Sequence, residues 1–195
     1  MTPRERLPPW YEYKRLLNGR EVLIRPIRQE DAEVLRAGFG LLYPEEIRQR
    51  FLYAIKELTP EAAARLVRPD PEREFALVVS EPLPPGEALI GAVARVAIAP
   101  EKREAEFAIL VSHFISGMGL GRHLMLRLVR WAKRKQLDRL YGDVLEHNTA
   151  MLGLAESVGF HRQIADTPGL VRVTLDLAQQ GAAETGATGA STAET

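Results

Sequence analysis

Three glycines fall within the five positions 117–121, in the run Ser116-Gly117-Met118-Gly119-Leu120-Gly121-Arg122. They join an apolar stretch, residues 105–111, to a stretch with helical periodicity. Glycine permits left-handed turns and lets a ligand come close to bare peptide groups. A helix that starts at such a loop presents unpaired N–H groups and the positive end of its dipole. Together these suit a diphosphate. No acid falls in the first helical turn, where Arg122 and His123 stand instead, so the position is left open to an anion. The plainer alternative is a glycine-rich turn leading into a surface helix.

A second chemical group stands just upstream. Glu106 interrupts the otherwise apolar Ala105-Glu106-Phe107-Ala108-Ile109-Leu110-Val111. Strand alternation puts Glu106, Ala108 and Leu110 on one face. A carboxylate in such surroundings is costly when buried and unpaired. Partial burial would raise its pKa above the ordinary carboxylate range, making it a better proton acceptor. The alternative is an ion pair with an arginine such as Arg95. Asn148, one of two asparagines with Asn18, precedes a helical run at 149–158 that Gly159 closes. It serves equally as a helix N-cap or as a contact to a ligand. Glu146 and His147 just before it read as loop residues. His113, His123 and His161 share no ligand spacing with a carboxylate, so no metal site is expected.

These groups need a scaffold. Residues 22–27 read as a first strand. Helices follow from Glu30-Asp31 to about 39, from Pro44 over 45–55, and from Thr59-Pro60-Glu61 to about 67, with Thr59 as N-cap. A strand meander comes next, at 74–80, 88–99 and 104–111. The helix after the glycine loop runs from 121 to about 135. Leu120, Leu124, Leu128 and Trp131 share one face of it, and Arg127, Arg130 and Arg134 another. Strands at 139–145 and 171–177 flank the helix at 149–158. Residues 1–20 form a basic, aromatic arm, 21–177 one domain, and 178–195 a tail too poor in apolar residues to order itself.

Composition bounds the function. The chain has 195 residues, 46% hydrophobic and 27% charged, with zero formal net charge and no cysteine. One well-packed domain is expected. Zero net charge argues against nucleic-acid binding. The lack of cysteine excludes disulfides and thiolate catalysis and suits a reducing, cytoplasmic setting. No run of about 18 apolar residues exists, so no membrane span is expected. The amino end lacks the apolar core of a signal peptide.

The order of elements, with the glycine loop at residues 116–121, resembles the GNAT acyltransferase superfamily. Within it the chain is most similar to the acetyltransferase domain of bacterial protein lysine acetyltransferases. The segments that carry this are Ile24-Arg25-Pro26-Ile27 with Glu30-Asp31, Gln49-Arg50-Phe51, Arg73-Glu74-Phe75-Ala76-Leu77-Val78, Ala105-Glu106-Phe107-Ala108, Tyr141-Gly142-Asp143-Val144-Leu145, Asn148 with Met151-Leu152, and Gly159-Phe160. They span about residues 20–177.

The resemblance implies an α/β (α+β) GNAT fold, a mixed central sheet of six to seven strands flanked by helices. It implies an N-acetyltransferase using acetyl-CoA as cosubstrate by direct attack in a ternary complex. Glu106 would be the general base. Ile109, Leu110 and Val111 would pair with the pantetheine arm. Ser116, Gly117, Met118, Gly119, Leu120, Gly121 and Arg122 would hold the diphosphate, and Asn148 would contact the cofactor. The acceptor would be a protein lysine, for instance on an acyl-CoA synthetase, or else a small amine. The chain would act as monomer or homodimer. Gln49-Arg50-Phe51 would form part of the acceptor wall. Two positions depart from the pattern: Ser116 stands where glutamine or arginine is usual, and Ala155 where many members place a tyrosine acid.

Two other classes compete. A Rossmann nucleotide site would use Asp143 as its ribose acid, but Arg122 occupies the place of the third glycine in G-x-G-x-x-G. A non-catalytic acyl-CoA sensor would bind the cofactor and label nothing.

Overall fold

The computed structural model describes residues 8–178. The expected tail, apart from Ala178, and residues 1–7 of the expected arm lie outside the described residues.

The chain forms β1 (Glu12–Arg15), β2 (Glu21–Pro26), α1 (Ala32–Phe39), α2 (Pro44–Phe51), α3 (Pro60–Leu66), β3 (Glu74–Ser80), β4 (Ile90–Ile98), β5 (Glu104–Val111), α4 (Leu120–Arg134), β6 (Arg139–Leu145), α5 (Thr149–Val158), β7 (His161–Ile164) and β8 (Leu170–Asp176). The strands make one sheet in the order β1-β2-β3-β4-β5-β6-β8-β7. Every neighbouring pair is antiparallel except β5 with β6. The sheet is therefore mixed, as expected, but has eight strands rather than six to seven. The extra two are its edges. β1 comes from the arm, and β7 is a four-residue strand exposed along its length, whose polar sequence has no apolar alternation to reveal it.

Alternation along β3, β4 and β5 divides the core. Phe75, Leu77 and Val79 with Ala92, Ala94, Val96, Phe107 and Ile109 face α4 and α5 in the main cluster. Ala76, Val78 and Val93 face the other way, with Ile27, Leu35 and Val67, under α1 and α3. Leu120, Leu124, Leu128 and Trp131 of α4 are all buried, at the expected helical spacing. Trp131 stacks on Phe75 with ring centroids 5.7 Å apart.

Three local expectations change. The first helix does not open on Glu30-Asp31. Asp31 is buried in a 3-10 turn, where its carboxylate takes two 2.8 Å bonds from Arg25 and one from the Arg28 N–H. The second helix stops at Phe51 rather than 55, because Leu52 turns left-handed at φ 64°. The arginine face of α4 is not bare: Arg127, Arg130 and Arg134 surround the Trp10 ring at 5.5–5.8 Å. Arg127 also bonds to Glu12, so the arm occupies that face.

Candidate active site

The site begins where two strands part. β5 pairs with β6 only through Glu104↔Arg139, Ala105↔Leu140 and Glu106↔Tyr141. Beyond that β6 stays with β8 as far as Leu145↔Leu170, while β5 stays with β4 as far as Val111↔Ala92. From Phe107 to Val111, the N–H and C=O groups that face β6 therefore have no strand partner. A wedge opens between the strands, and an amide-bearing ligand can complete the ladder there.

The glycine loop closes the wide end of the wedge. Gly117 and Gly119 sit at φ 72° and 76°, a conformation that side-chain-bearing residues rarely adopt. Gly119 is the N-cap of α4, with no side chain capping the helix and no acid in its first turn. A Cβ on either glycine would meet nothing within 4 Å, so the loop borders open space. Gly121 differs: its Cβ would stand 3.1 Å from Leu154, where α4 packs on α5. The first N–H groups of α4 point toward open space with no anion supplied by the described residues, which suits a diphosphate.

These parts border one cavity of about 540 Å³. Ile109, Leu110, Val111, Ser116, Gly117, Gly119, Leu120, Gly121, Arg122 and Asn148 line it. Met118 does not. Its side chain packs against the main core instead, because the two left-handed glycines turn it inward.

A second cavity, of about 170 Å³, adjoins the first and shares Gln49, Arg50, Ile109, Asn148 and Met151 with it. Glu106 and Asp143 line this one. The Glu106 side chain is exposed to this space, yet the surrounding protein raises its pKa by desolvation. The charge of Asp143 raises it further, and Arg172 and Arg50 oppose. The alternative partner is occupied: Arg95 bonds to Glu74 at 2.8 Å and to the Leu66 carbonyl. Glu106 makes no ion pair among the described residues, so its oxygens are free to take a proton.

Asp143 is held by two bonds from Arg172, at 2.8 and 2.7 Å. The Arg172 guanidinium lies 4.9 Å over the Tyr141 ring. Asp143 is thus a partner in an ion pair and not a ribose ligand. Asn148 is 8% exposed, and its Oδ1 accepts the Met151 N–H at 3.1 Å. It caps α5 and borders both cavities at once. Ala155 is fully buried in the core, so no acid stands near the wedge at that position.

The sequence concealed how α2 is fastened. Glu46 accepts from the His113 backbone at 2.6 Å and faces its Nδ1 at 3.1 Å. Glu45 lies 3.0 Å from His147 Nε2. His113 follows β5 and His147 precedes α5, so the first turn of α2 is tied to both lips of the wedge. These partners lie 67 and 102 residues apart in the chain, and no local pattern signals them. The same tie brings Gln49 and Arg50 to the junction of the cavities.

Residues 21–161 match the Acetyltransferase (GNAT) domain family. Acetyltransferase PA5475 of Pseudomonas aeruginosa is 34% identical over 145 residues, 73% of this chain and 76% of that protein. Among solved structures, the GNAT domain of S. lividans PAT superposes with a TM-score of 0.75 at 24% identity, covering 88% of this chain and 99% of that one. The cAMP-binding acyltransferase from Mycobacterium smegmatis gives 0.57 at 22% identity, covering 86% of this chain and 47% of that one. An N-acetyltransferase from Staphylococcus aureus Mu50 gives 0.63 at 20%, covering 80% and 98%. The parted strands, the glycine-capped helix and the sequence match over 141 residues agree: this chain belongs to the GNAT acetyltransferase family.

Proposed function

We propose that the chain transfers the acetyl group of acetyl-CoA to the ε-amine of a protein lysine, in a ternary complex, through the domain at 21–177. The observation that carries this reading is the continuity of the two cavities, which runs an anion cradle, a free strand edge and an unpaired carboxylate into one path. The diphosphate would lie on the N–H groups of residues 117–122, including that of Met118. The pantetheine amides would pair with Ile109–Val111, and Asn148 would hold the arm between them.

The reacting end then lies toward Glu106. A lysine amine has a pKa near 10.4, so presenting it neutral at pH 7 costs about 4–5 kcal/mol. Glu106 accepts that proton. The amine nitrogen attacks the thioester carbon and the C–N bond forms; the C–S bond breaks with its electrons on sulfur, and the second amine proton passes to the departing thiolate or to water. A thiolate of pKa near 8.5 is a tolerable leaving group near neutral pH, which fits alanine at position 155. Free N–H groups of β5 near Val111 would stabilise the carbonyl oxygen as it gains charge.

Segments that resemble the lysine-acetylating branch supply Arg50, Glu106, Asn148 and Met151 at this junction, which favours lysine over a small amine. Incubation of the purified chain with radiolabelled acetyl-CoA, lysine peptides, an acyl-CoA synthetase and small amines tests the reading. Label on a lysine side chain is expected. Tight coenzyme A binding with no labelled amine would make the chain a sensor instead.

A further inference from the structure

Arg50 is the one arginine lining the Glu106 cavity, and it makes no ion pair among the described residues. Arg25 is paired with Asp31, Arg95 with Glu74, and Arg172 with Asp143. Burial, the neighbouring charge of Arg95, and the opposing charges of Glu106 and Tyr53 act on Arg50, with no hydrogen bond among them. Burial dominates and lowers its pKa to about 10. Its guanidinium lies 4.9 Å from the centroid of the Phe51 ring. A half-buried cation without a partner is poorly compensated, and an incoming anion offsets that cost. Glu106 is a poor answer, because a close pair with Arg50 would hold its pKa down and spoil it as a base.

The position of Arg50 narrows the ligand. It lines the cofactor cavity, the Glu106 cavity and a third, apolar cavity of about 80 Å³. The third lies under α1 and α2, between Val34, Leu35, Phe39, Leu58 and Leu66 and the sheet at Val93. The glycine loop borders only the first of the three, whereas Arg50 borders all of them and so reaches space the phosphate cradle does not. An acceptor whose amine reaches Glu106 has an unpaired guanidinium and an apolar hollow beside it.

We propose that Arg50 binds a carboxylate carried by the acyl acceptor, and that the apolar cavity takes a hydrophobic group next to that carboxylate. This rests on the N-acetyltransferase reading above and refines its acceptor. The chemistry fits a lysine flanked by an acidic and an apolar residue, and equally an apolar amino acid.

Acetyl transfer is measured from labelled acetyl-CoA to leucine and leucinamide, and to lysine pentapeptides flanked by Leu-Glu or Leu-Gln. The carboxylate member of at least one pair is expected to have kcat/KM about 30-fold higher. Which pair shows it separates the amino-acid source from the peptide source. In Arg50→Gln the preference falls to within about threefold, and Arg50→Lys restores part of it. Gly38 lines the apolar cavity, and a Cβ there meets nothing within 4 Å. Gly38→Leu fills the space, so leucine-bearing acceptors lose about tenfold relative to alanine-bearing ones, with the melting temperature held or raised. The coenzyme A-induced thermal shift confirms folding of each variant. Equal rates for acid and amide in both pairs, or a preference that survives Arg50→Gln, overturns the inference while leaving the acetyltransferase reading intact. A lost thermal shift in Arg50→Gln with unchanged acceptor preference assigns the guanidinium to the cofactor and also overturns it. Label on no amine at all sinks both.

Discussion

Glu106→Gln isolates the base. Because the native carboxylate is exposed to the cavity and makes no ion pair among the described residues, the near-isosteric amide leaves no partner stranded. The sign of its effect on stability follows from the shift. A carboxylate whose folded pKa is raised contributes stability fully present below its unfolded pKa and lost as pH rises through the folded value. Above the folded pKa that contribution is gone, so there the amide variant should melt at the same temperature or slightly higher. Turnover should behave quite differently. General-base catalysis contributes about 10²–10⁴ in rate, and kcat should fall by that factor while the Kd for coenzyme A stays within about threefold. Stopped assays of thiol release between pH 5 and 9, with calorimetry for coenzyme A, read both. In the native protein, the acid limb of kcat should lie above the ordinary carboxylate range, since desolvation and Asp143 both raise the Glu106 pKa. Asp143→Asn removes one of those causes and frees Arg172. The limb should then move to lower pH, since the charge of Asp143 no longer raises the Glu106 pKa. Turnover of Glu106→Gln within threefold of native across pH 6–9 would refute the assignment. So would a limb that moves up in Asp143→Asn.

Other substitutions probe the frame. Asn148→Asp keeps an oxygen for the Met151 N–H but loses the amide donor; the melting temperature should hold, while the coenzyme A Kd measured by calorimetry rises about tenfold. Asp31→Asn breaks a fully buried pair with Arg25 and should cost about 3–5 kcal/mol in urea unfolding. The Asp31 carboxyl is held low by its bonds to Arg25, Arg28 and Gly86 against the opposing pull of burial. Its contribution is therefore present above the unfolded carboxylate pKa and lost as pH falls through the folded one, so native and variant stabilities should converge in acid. Gly142→Ala would put a Cβ 2.7 Å from the Phe107 ring, which should cost about 1–3 kcal/mol and weaken coenzyme A binding.

Sequence reasoning reached the parts whose signal is local. The glycine loop, the apolar face of α4, Thr59 capping α3 and Asn148 capping α5 all lie within a few residues of their partners. Glu106 stood out because a carboxylate among apolar residues contradicts its surroundings. What could not be read is long-range pairing. β1 is defined by its partner β2, and β7 by β8, since neither short strand has an apolar alternation of its own. The burial of Arg50, the Glu45–His147 and Glu46–His113 contacts, and the occupation of the α4 arginine face by Trp10 all depend on the folded chain. The inward direction of the Met118 side chain is hidden from the sequence for a related reason. The backbone turns at its two glycine neighbours decide where its side chain points, and the residue type does not.

The wedge itself has a side-chain cause. A strand pair stops only when something makes the next ladder step unfavourable or another partner more favourable. Here both hold. β6 finds a complete partner in β8 over all seven of its residues, and β5 finds one in β4 from Ala105 to Val111. At the point of parting, the Phe107 ring lies where a Gly142 Cβ would be, and it meets Phe160 edge-on at 5.3 Å. Phe107 therefore fills the floor of the gap from the α4 side, and the absence of a side chain at 142 is what admits it. Glu106, the proposed base, is the last residue of β5 paired to β6, and the free peptide edge begins with the next residue. One aromatic ring over one glycine thus sets the spacing, counted in residues, between the proposed base and the strand edge proposed to hold the thioester. A chain that kept the glycine loop but carried a larger residue at 142 would keep an anion site and lose that alignment.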